Sequence, residues 1–371
     1  MKPLCYAPFT ALYVSTRSGY GPCCVSKKFK ASDPESFWVG PEMQDIRKQL
    51  LDGKFPDSCR MCSNRSAHGV TSDVDGWNHL HRQYPININV ETGNETGGPI
   101  HVDYRPSNLC NLKCRMCGTY ASSLIAEEVE NNEELLEWHK KPTEAEDYNS
   151  MMDEYVSKLD LVSIKILGGE PTIDPKVIEF MNIASKSEPD LIITTNATNV
   201  NARFKEVARK FKNIKVAISL DATHEMYEYI RTNANWKKTE ENVKKLMEEF
   251  PKASFCFNVV LTPWSLLSLD KTLRWMQDLK SSGKRFSVFI TDSDDSHTGM
   301  PAALPGHIEQ ALNDIPYEVF DDLECVNTIA ILNSAKFDEK SHKSFKRMNA
   351  ALDKVRKTDA SLVDPRMKEY M

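Results

Sequence analysis

The stretch IHVDYRPSNLCNLKCRMCGTY, residues 100–120, decides how the rest of the chain is read. Its first five residues are β-prone, with apolar side chains at alternate positions, and predict a strand. The strand runs into a loop holding Cys110, Cys114 and Cys117, and a helical pattern follows. In parallel α/β folds, ligands bind at the carboxyl ends of strands. Three thiols are one short of the four that structural zinc takes and one more than a disulfide needs. They can hold three irons of a four-iron, four-sulfur cluster and leave the fourth iron open. A zinc site borrowing a fourth ligand from elsewhere is the alternative.

The same alternation of apolar runs and helical spacing continues outward from this strand. Further β-prone runs are LVSIKIL (161–167), DLIITT (190–195), IKVAISL (214–220), SFCFNVVL (254–261) and RFSVFIT (285–291). Between them lie DPKVIEFMNIASKS, NARFKEVARKF, TEENVKKLMEEF and LDKTLRWMQDLKSS, each with the spacing of an amphipathic helix. Six strands separated by helices predict an α/β fold with a parallel sheet, a barrel or a doubly wound sheet. The charged segment SSLIAEEVENNEELLEWHKK, between the first two strands, reads as a solvated face. Near the end, HKSFKRMNAALDKVRKT places Phe345, Met348, Ala351, Leu352 and Val355 on one stripe, a helix packed on the main domain.

Composition sets the outer limits. The 371 residues are 40% hydrophobic and 27% charged, with a net charge of −6, so no basic surface points to nucleic acid as a partner. The start, MKPLCYAPFTALYV, has no long apolar core, and no run of about 18 apolar residues occurs. No membrane association is expected, and a cytoplasmic location is. Of ten cysteines, eight lie before residue 118. Clusters of that kind in a chain without a secretion signal point to metal ligands before disulfides.

Three further segments carry ligand-binding chemistry. In LGGEPTID, Gly168 and Gly169 let backbone approach a ligand closely, and Glu170 can accept from an ammonium group. TTNAT holds Asn196, and ISLDATHEMYEYIRTN holds Ser219, Asp221 and Arg231, whose guanidinium suits a carboxylate. With the C-x3-C-x2-C loop, these motifs make the chain resemble the radical S-adenosylmethionine enzymes.

The resemblance implies a partial (β/α)6 barrel of TIM type with a small cysteine-rich N-terminal module and a helical C-terminal tail. It also implies a four-iron cluster on Cys110, Cys114 and Cys117 whose open iron takes S-adenosylmethionine. The cofactor contacts it implies are Met116, Gly168, Gly169, Glu170, Asn196, Ser219, Asp221, Arg231 and Val260. Here Ala197 stands where the family commonly has glycine, Thr232 follows Arg231 in place of another, and Met116 replaces a frequent aromatic. The implied activity is reductive cleavage of the cofactor to a 5′-deoxyadenosyl radical and removal of a hydrogen atom from a substrate.

Residues 1–70, with LCYAPFTALYV, GYGPCCVS and IRKQLLDGKFPDSCRMCSNR, resemble the twitch/SPASM auxiliary module of such enzymes, here placed before the barrel. Cys5, Cys23, Cys59 and Cys62 would then ligate a second four-iron cluster, with Cys24 as the alternative to Cys23. A zinc ribbon on the same four residues stays open. The expected organisation is an auxiliary module over 1–95, ending in the turn-prone ETGNETGGP, a barrel over 96–300 and a helical extension over 301–371. Enzymes with this module often modify peptides or proteins, so a peptide substrate is expected, with a small metabolite as the alternative. An electron donor such as flavodoxin or ferredoxin is the expected partner. His79 and His81 read as surface or loop residues, and Cys256 as a small buried side chain.

Overall fold

The computed structural model describes residues 3–67, 72–85, 97–141, 149–293, 295, 297–315, 317–323, 325 and 327–371. The chain forms two compact units. Most of the turn-prone ETGNETGGP, with the boundary expected at residue 95, lies outside the described residues.

The first unit comprises Met1–Ser107, Thr143–Ile193 and Ala202–Ile214. Its strands are β1 (Ala11–Ser15), β2 (Gly19–Gly21), β3 (His101–Arg105), β4 (Ser163–Ile166) and β5 (Asp190–Thr195), in the spatial order β5-β4-β3-β1-β2. All neighbours run parallel except the β1–β2 hairpin. Alternation sorts the side chains onto two faces. Val102, Tyr104, Ile164, Ile166, Leu191 and Ile193 are buried on one of them, where Tyr104 meets Phe180 at 4.6 Å.

Phe180 belongs to the helix Pro175–Ala184. Asp174 starts this helix by accepting from Lys176 N, and Pro175 fits its first turn, where no backbone donor is needed. Val177, Ile178, Phe180 and Met181 form its buried stripe. Each is worth about 1.5–3 kcal/mol of burial.

The N-terminal segment is more regular than its cysteine spacing suggests. It contains the helices Pro41–Leu51 and Asp73–Gln83, and β1 adds to the sheet beside β3. All five residues of β1 are buried, so the strand lacks the alternation that announces a half-buried one. His79 and His81 lie on the helix Asp73–Gln83, where His81 stacks on Tyr6 at 3.5 Å.

The second unit comprises Asn108–Pro142, Thr194–Asn201 and Lys215–Met371. Its strands β6 (Ile214–Ser219), β7 (Ser254–Leu261) and β8 (Ser287–Asp292) are parallel, in the order β8-β7-β6. Phe257, Val259 and Leu261 are fully buried, as are Leu269, Leu273 and Met276 of the helix Leu269–Ser281. In the tail helix Glu339–Arg356, Phe345, Met348 and Leu352 are buried, while Ala351 and Val355 are half-buried. Phe345 packs on Trp264 at 4.7 Å. Cys256, on β7, is buried as expected.

One segment departs from its reading. The stretch 122–141 is not a solvated face: its helix Ser123–Glu130 buries Ile125, Ala126, Val129 and the carboxylate of Glu128. Glu128 is buried because Lys113 and Arg356 both pair with it.

Six parallel strands, β3 to β8, alternate with helices along the chain, and a helical tail follows. This is the α/β architecture of a partial (β/α)6 TIM-type barrel. No helix among the described residues is long and apolar enough to cross a membrane.

Candidate active site

The three-cysteine loop of the second unit is built by short-range bonds at both ends. Asn108 Nδ2 donates to Thr119 O at 2.8 Å and closes the loop at its base. Ser122 caps the following helix through Ile125 N and donates to Leu112 O at 2.7 Å. Cys117 N donates to Cys114 O at 3.0 Å, turning the chain so that the second and third cysteines neighbour each other. Lys113 and Cys114 also pair in antiparallel fashion with Thr232 and Arg231.

That pairing sets Arg231 against Cys114. Arg231 Nη1 is 3.7 Å from Cys114 Sγ, Nη2 is 2.5 Å from Asp221 Oδ2, and Nε donates to Leu220 O at 3.2 Å. Asp221 uses its other oxygen to accept from Val260 N at 3.0 Å. Burial works against the Arg231 charge, but Asp221 and Cys114 outweigh it and hold the guanidinium charged. Asp221 sits at φ +63, a left-handed conformation an aspartate adopts at some cost.

Asn196 reaches the loop from the end of β5. Its Nδ2 donates to Asn111 Oδ1 at 3.1 Å, and its Oδ1 accepts from Thr198 N and Oγ1 at 2.9 and 2.7 Å. Ala197 has φ +55, the conformation that glycine takes most cheaply. Ser219 closes β6 and Met116 is half-buried in the loop. Asn196, Asp221, Arg231 and Val260 are thus joined by hydrogen bonds to the cysteine loop or to one another.

Burial pushes the thiols up: Cys114 above its ordinary range, and Cys117 to about 12, with Cys114 and Cys110 adding to it. Such thiols stay protonated until a metal takes the proton's place. Three sulfur donors with a cation beside one of them fit an anionic iron–sulfur cluster.

Arg115 is the main residue that sequence reasoning passes over. Its side chain is fully buried, 3.6 Å over the Tyr229 ring. It donates to Tyr229 O (3.0 Å), Asn349 Oδ1 (3.2 Å), Asp353 Oδ1 (2.5 Å) and Thr358 Oγ1 (2.8 Å). On the other side of Cys114, Lys113 Nζ donates to Glu128 Oε1 at 2.7 Å, and Arg356 Nη2 to Glu128 Oε2 at 2.6 Å. The tail helix therefore grips the loop on both sides of its central cysteine. The signal in the sequence was the pair of cations flanking Cys114, with no acidic residue nearby to match them.

The Gly-Gly-Glu turn belongs to the first unit. Gly168 has φ +141, and a Cβ there would stand 2.6 Å from Ser107 O, so only glycine fits. Gly169 N donates to the same carbonyl at 3.1 Å. Glu170 is buried, with Oε1 accepting from Thr172 N and Oγ1 at 3.1 and 2.6 Å.

Cys5, Cys23, Cys59 and Cys62 line one small pocket in the first unit, with Leu50, Phe55 and Trp77; Cys24 is not on its wall. Burial raises all four thiols, Cys23 to about 12. Lys28 Nζ donates to the carbonyls of Cys23, Cys24 and Ser26 at 3.0, 2.8 and 2.5 Å. Among the described residues, no three His, Cys, Asp or Glu side chains converge as ligands of a single metal ion do.

Residues 104–276 match the family model of the Radical SAM superfamily, a span that runs from the end of β3 to the helix after β7 and contains the whole cysteine loop. The match covers just under half of the chain and makes it similar over that span to the radical SAM enzymes, a family that implies a four-iron, four-sulfur cluster and S-adenosylmethionine. A search of curated proteins gives no match. Among solved structures, the chain is similar to Streptococcus suis SuiB bound to its precursor peptide SuiA: 22% identity, TM-score 0.38, covering 52% of this chain and 39% of that one. It is also similar to anSMEcpe with bound AdoMet and a Cp18Cys peptide, at 17% identity, TM-score 0.39, covering 64% and 62%. A third is TYW1 with a lysine-pyruvate adduct, at 15% identity, TM-score 0.35, covering 60% and 74%. The chain thus spans well under two thirds of the length of SuiB.

Proposed function

We propose that the protein cleaves S-adenosylmethionine reductively and uses the resulting 5′-deoxyadenosyl radical to take a hydrogen atom from a peptide or protein substrate. The observation that carries this reading is Arg231, whose guanidinium bridges Cys114 and Asp221 while Asp221 holds the backbone of Val260. Cys110, Cys114 and Cys117 would hold the cluster, and the cofactor supplies the radical chemistry when bound. The chain's own residues would hold the cofactor: Arg231 its carboxylate, Gly168, Gly169 and Glu170 its amino group, Asn196, Ser219 and Asp221 its ribose, and Met116 and Val260 its base. Bonds from Asn111, Ser122 and Arg115 hold the loop in place.

Cys5, Cys23, Cys59 and Cys62 would hold a second cluster in an auxiliary module of residues 1–95, beside a barrel over 96–300 and a helical extension over 301–371. Their shared pocket supports that reading. A small electron donor such as flavodoxin or ferredoxin would supply the electron. The test is anaerobic reconstitution, reduction and assay for 5′-deoxyadenosine. Wild type should form it and Cys114→Ala should not; full product from the variant would end this reading.

A further inference from the structure

One face of the first unit's sheet is charged where the interior of an α/β fold is ordinarily filled by branched apolar side chains. Tyr13 and Lys165 lie in register on either side of Asp103, and Arg105 follows on the same face of β3. Arg105 Nε stands 3.6 Å from Asp103 Oδ1, and Lys165 Nζ stands 3.6 Å from Oδ2. These separations are too long for hydrogen bonds. Among the described residues, Arg105 Nε and Asp103 Oδ1 are both buried with no hydrogen-bond partner. A buried donor and acceptor left unmade are costly unless something else completes them.

Two groups complete the site. The Arg105 guanidinium lies 5.0 Å from the centre of the Tyr13 ring, and Lys28 Nζ lies 4.3 Å from it. Lys28 spends its donors on the carbonyls of Cys23, Cys24 and Ser26, so it adds charge alone. Arg105 and Lys165 keep donors to give. Three cations face one carboxylate, a surplus of two positive charges on a partly buried surface. Arg105 Cα is 4.0 Å from where a Gly168 side chain would begin, so this face adjoins the Gly-Gly-Glu turn.

We infer that this face binds a carboxylate group of the substrate. Arg105 offers it a planar fork and Lys165 a second cation, Tyr13 flanks it, and Asp103 accepts an adjoining N–H of the same molecule. A phosphate dianion fits less well, because Asp103 stands inside the cluster and repels the second charge. The inference rests on the radical reading above and adds the substrate's chemical class to it. An acidic residue in a peptide and a free amino acid share this chemistry.

The experiment is anaerobic calorimetry on the reconstituted full chain with S-adenosylmethionine present. The two probes are L-glutamate and a capped Gly-Glu-Gly tripeptide. Saturable binding is expected for at least one, and the probe that binds identifies the source. Arg105→Gln should weaken it about tenfold or more, and Arg105→Lys less. Lys165→Gln, at a half-buried position, repeats the test should the first variant fold poorly. No saturable binding of either probe overturns the inference, as does binding that survives both Gln variants. Loss of 5′-deoxyadenosine formation in Lys165→Gln also overturns it, because the cluster would then serve the cofactor. Failure of the radical reading shows separately, as a wild type that binds glutamate or peptide and forms no 5′-deoxyadenosine.

Discussion

Asp353 Oδ1 accepts from Arg115 Nη2 at 2.5 Å, across 238 positions of sequence, and both side chains are buried. The pair fastens the residue after Cys114 to the tail helix. Removing one partner of such a pair leaves the other charge buried and unmatched. Asp353→Asn is expected to cost about 3 kcal/mol, read by chemical denaturation, and to lower iron incorporation on the loop. Arg115→Met in the Asp353→Asn background should recover part of that loss, since the two effects are coupled. Simple additivity of the two changes would count against a direct pair.

Arg231 makes three contacts that a lysine cannot make together. Arg231→Lys should keep the fold and most of the bound iron, while 5′-deoxyadenosine formation falls roughly ten- to a hundredfold, the value of one or two charge-assisted bonds. An unchanged rate at equal iron content would remove Arg231 from the cofactor site.

The glycines at 168 and 76 should respond in opposite directions. Gly168→Ala drives a Cβ against Ser107 O at a φ that side chains avoid, and should cost about 2 kcal/mol or more. Gly76 lies in the helix Asp73–Gln83 with open space around it, so Gly76→Ala should stabilise by about 0.5–1 kcal/mol. Denaturant midpoints of the two variants check both signs.

His101 supplies a pH dependence. Its Nδ1 lies 2.8 Å from Ser163 Oγ, and burial pulls it down from 6.5 to about 4. Between those values the unfolded chain binds more protons than the folded one. This part of the stability is complete above pH 6.5 and is lost as pH falls through the window, at no more than about 1.4 kcal/mol per pH unit. His101→Gln should flatten the stability profile there; an unchanged slope would assign the acid sensitivity to other groups.

The two cysteine sets should separate in the same assay. Cys59→Ala removes one wall of the N-terminal pocket and should leave 5′-deoxyadenosine formation in place or only partly reduced. Iron per chain should drop by about half. Complete loss of product from this variant would tie both sets to one centre.

The barrel strands were legible because each is a short β-prone run bounded by turn residues: DLIITT and SFCFNVVL match β5 and β7 to the residue. The motifs TTNAT and ISLDATHEMYEYIRTN pointed to Asn196, Asp221 and Arg231, and the hydrogen bonds that join these residues to the loop, to Val260 or to one another appear only in the fold. Strand β1 was not legible, since a strand buried on both faces shows no alternation. Glu128 misled for a different reason. Its partners Lys113 and Arg356 lie 15 and 228 positions away, and local charge spacing carries no trace of either. Asp103 and Lys165 likewise become neighbours only through strand register.

The grip of the tail on the cysteine loop also orders events in time. A chain leaves the ribosome N-terminal end first. Residues 110–117 emerge long before Asn349, Asp353 and Thr358, the acceptors that hold Arg115 in place. Until those arrive, a nascent chain presents the three thiols on a loop held by its local bonds alone. A chain cut short before residue 349 would therefore emerge with Cys110, Cys114 and Cys117 present and the acceptors that hold Arg115 missing.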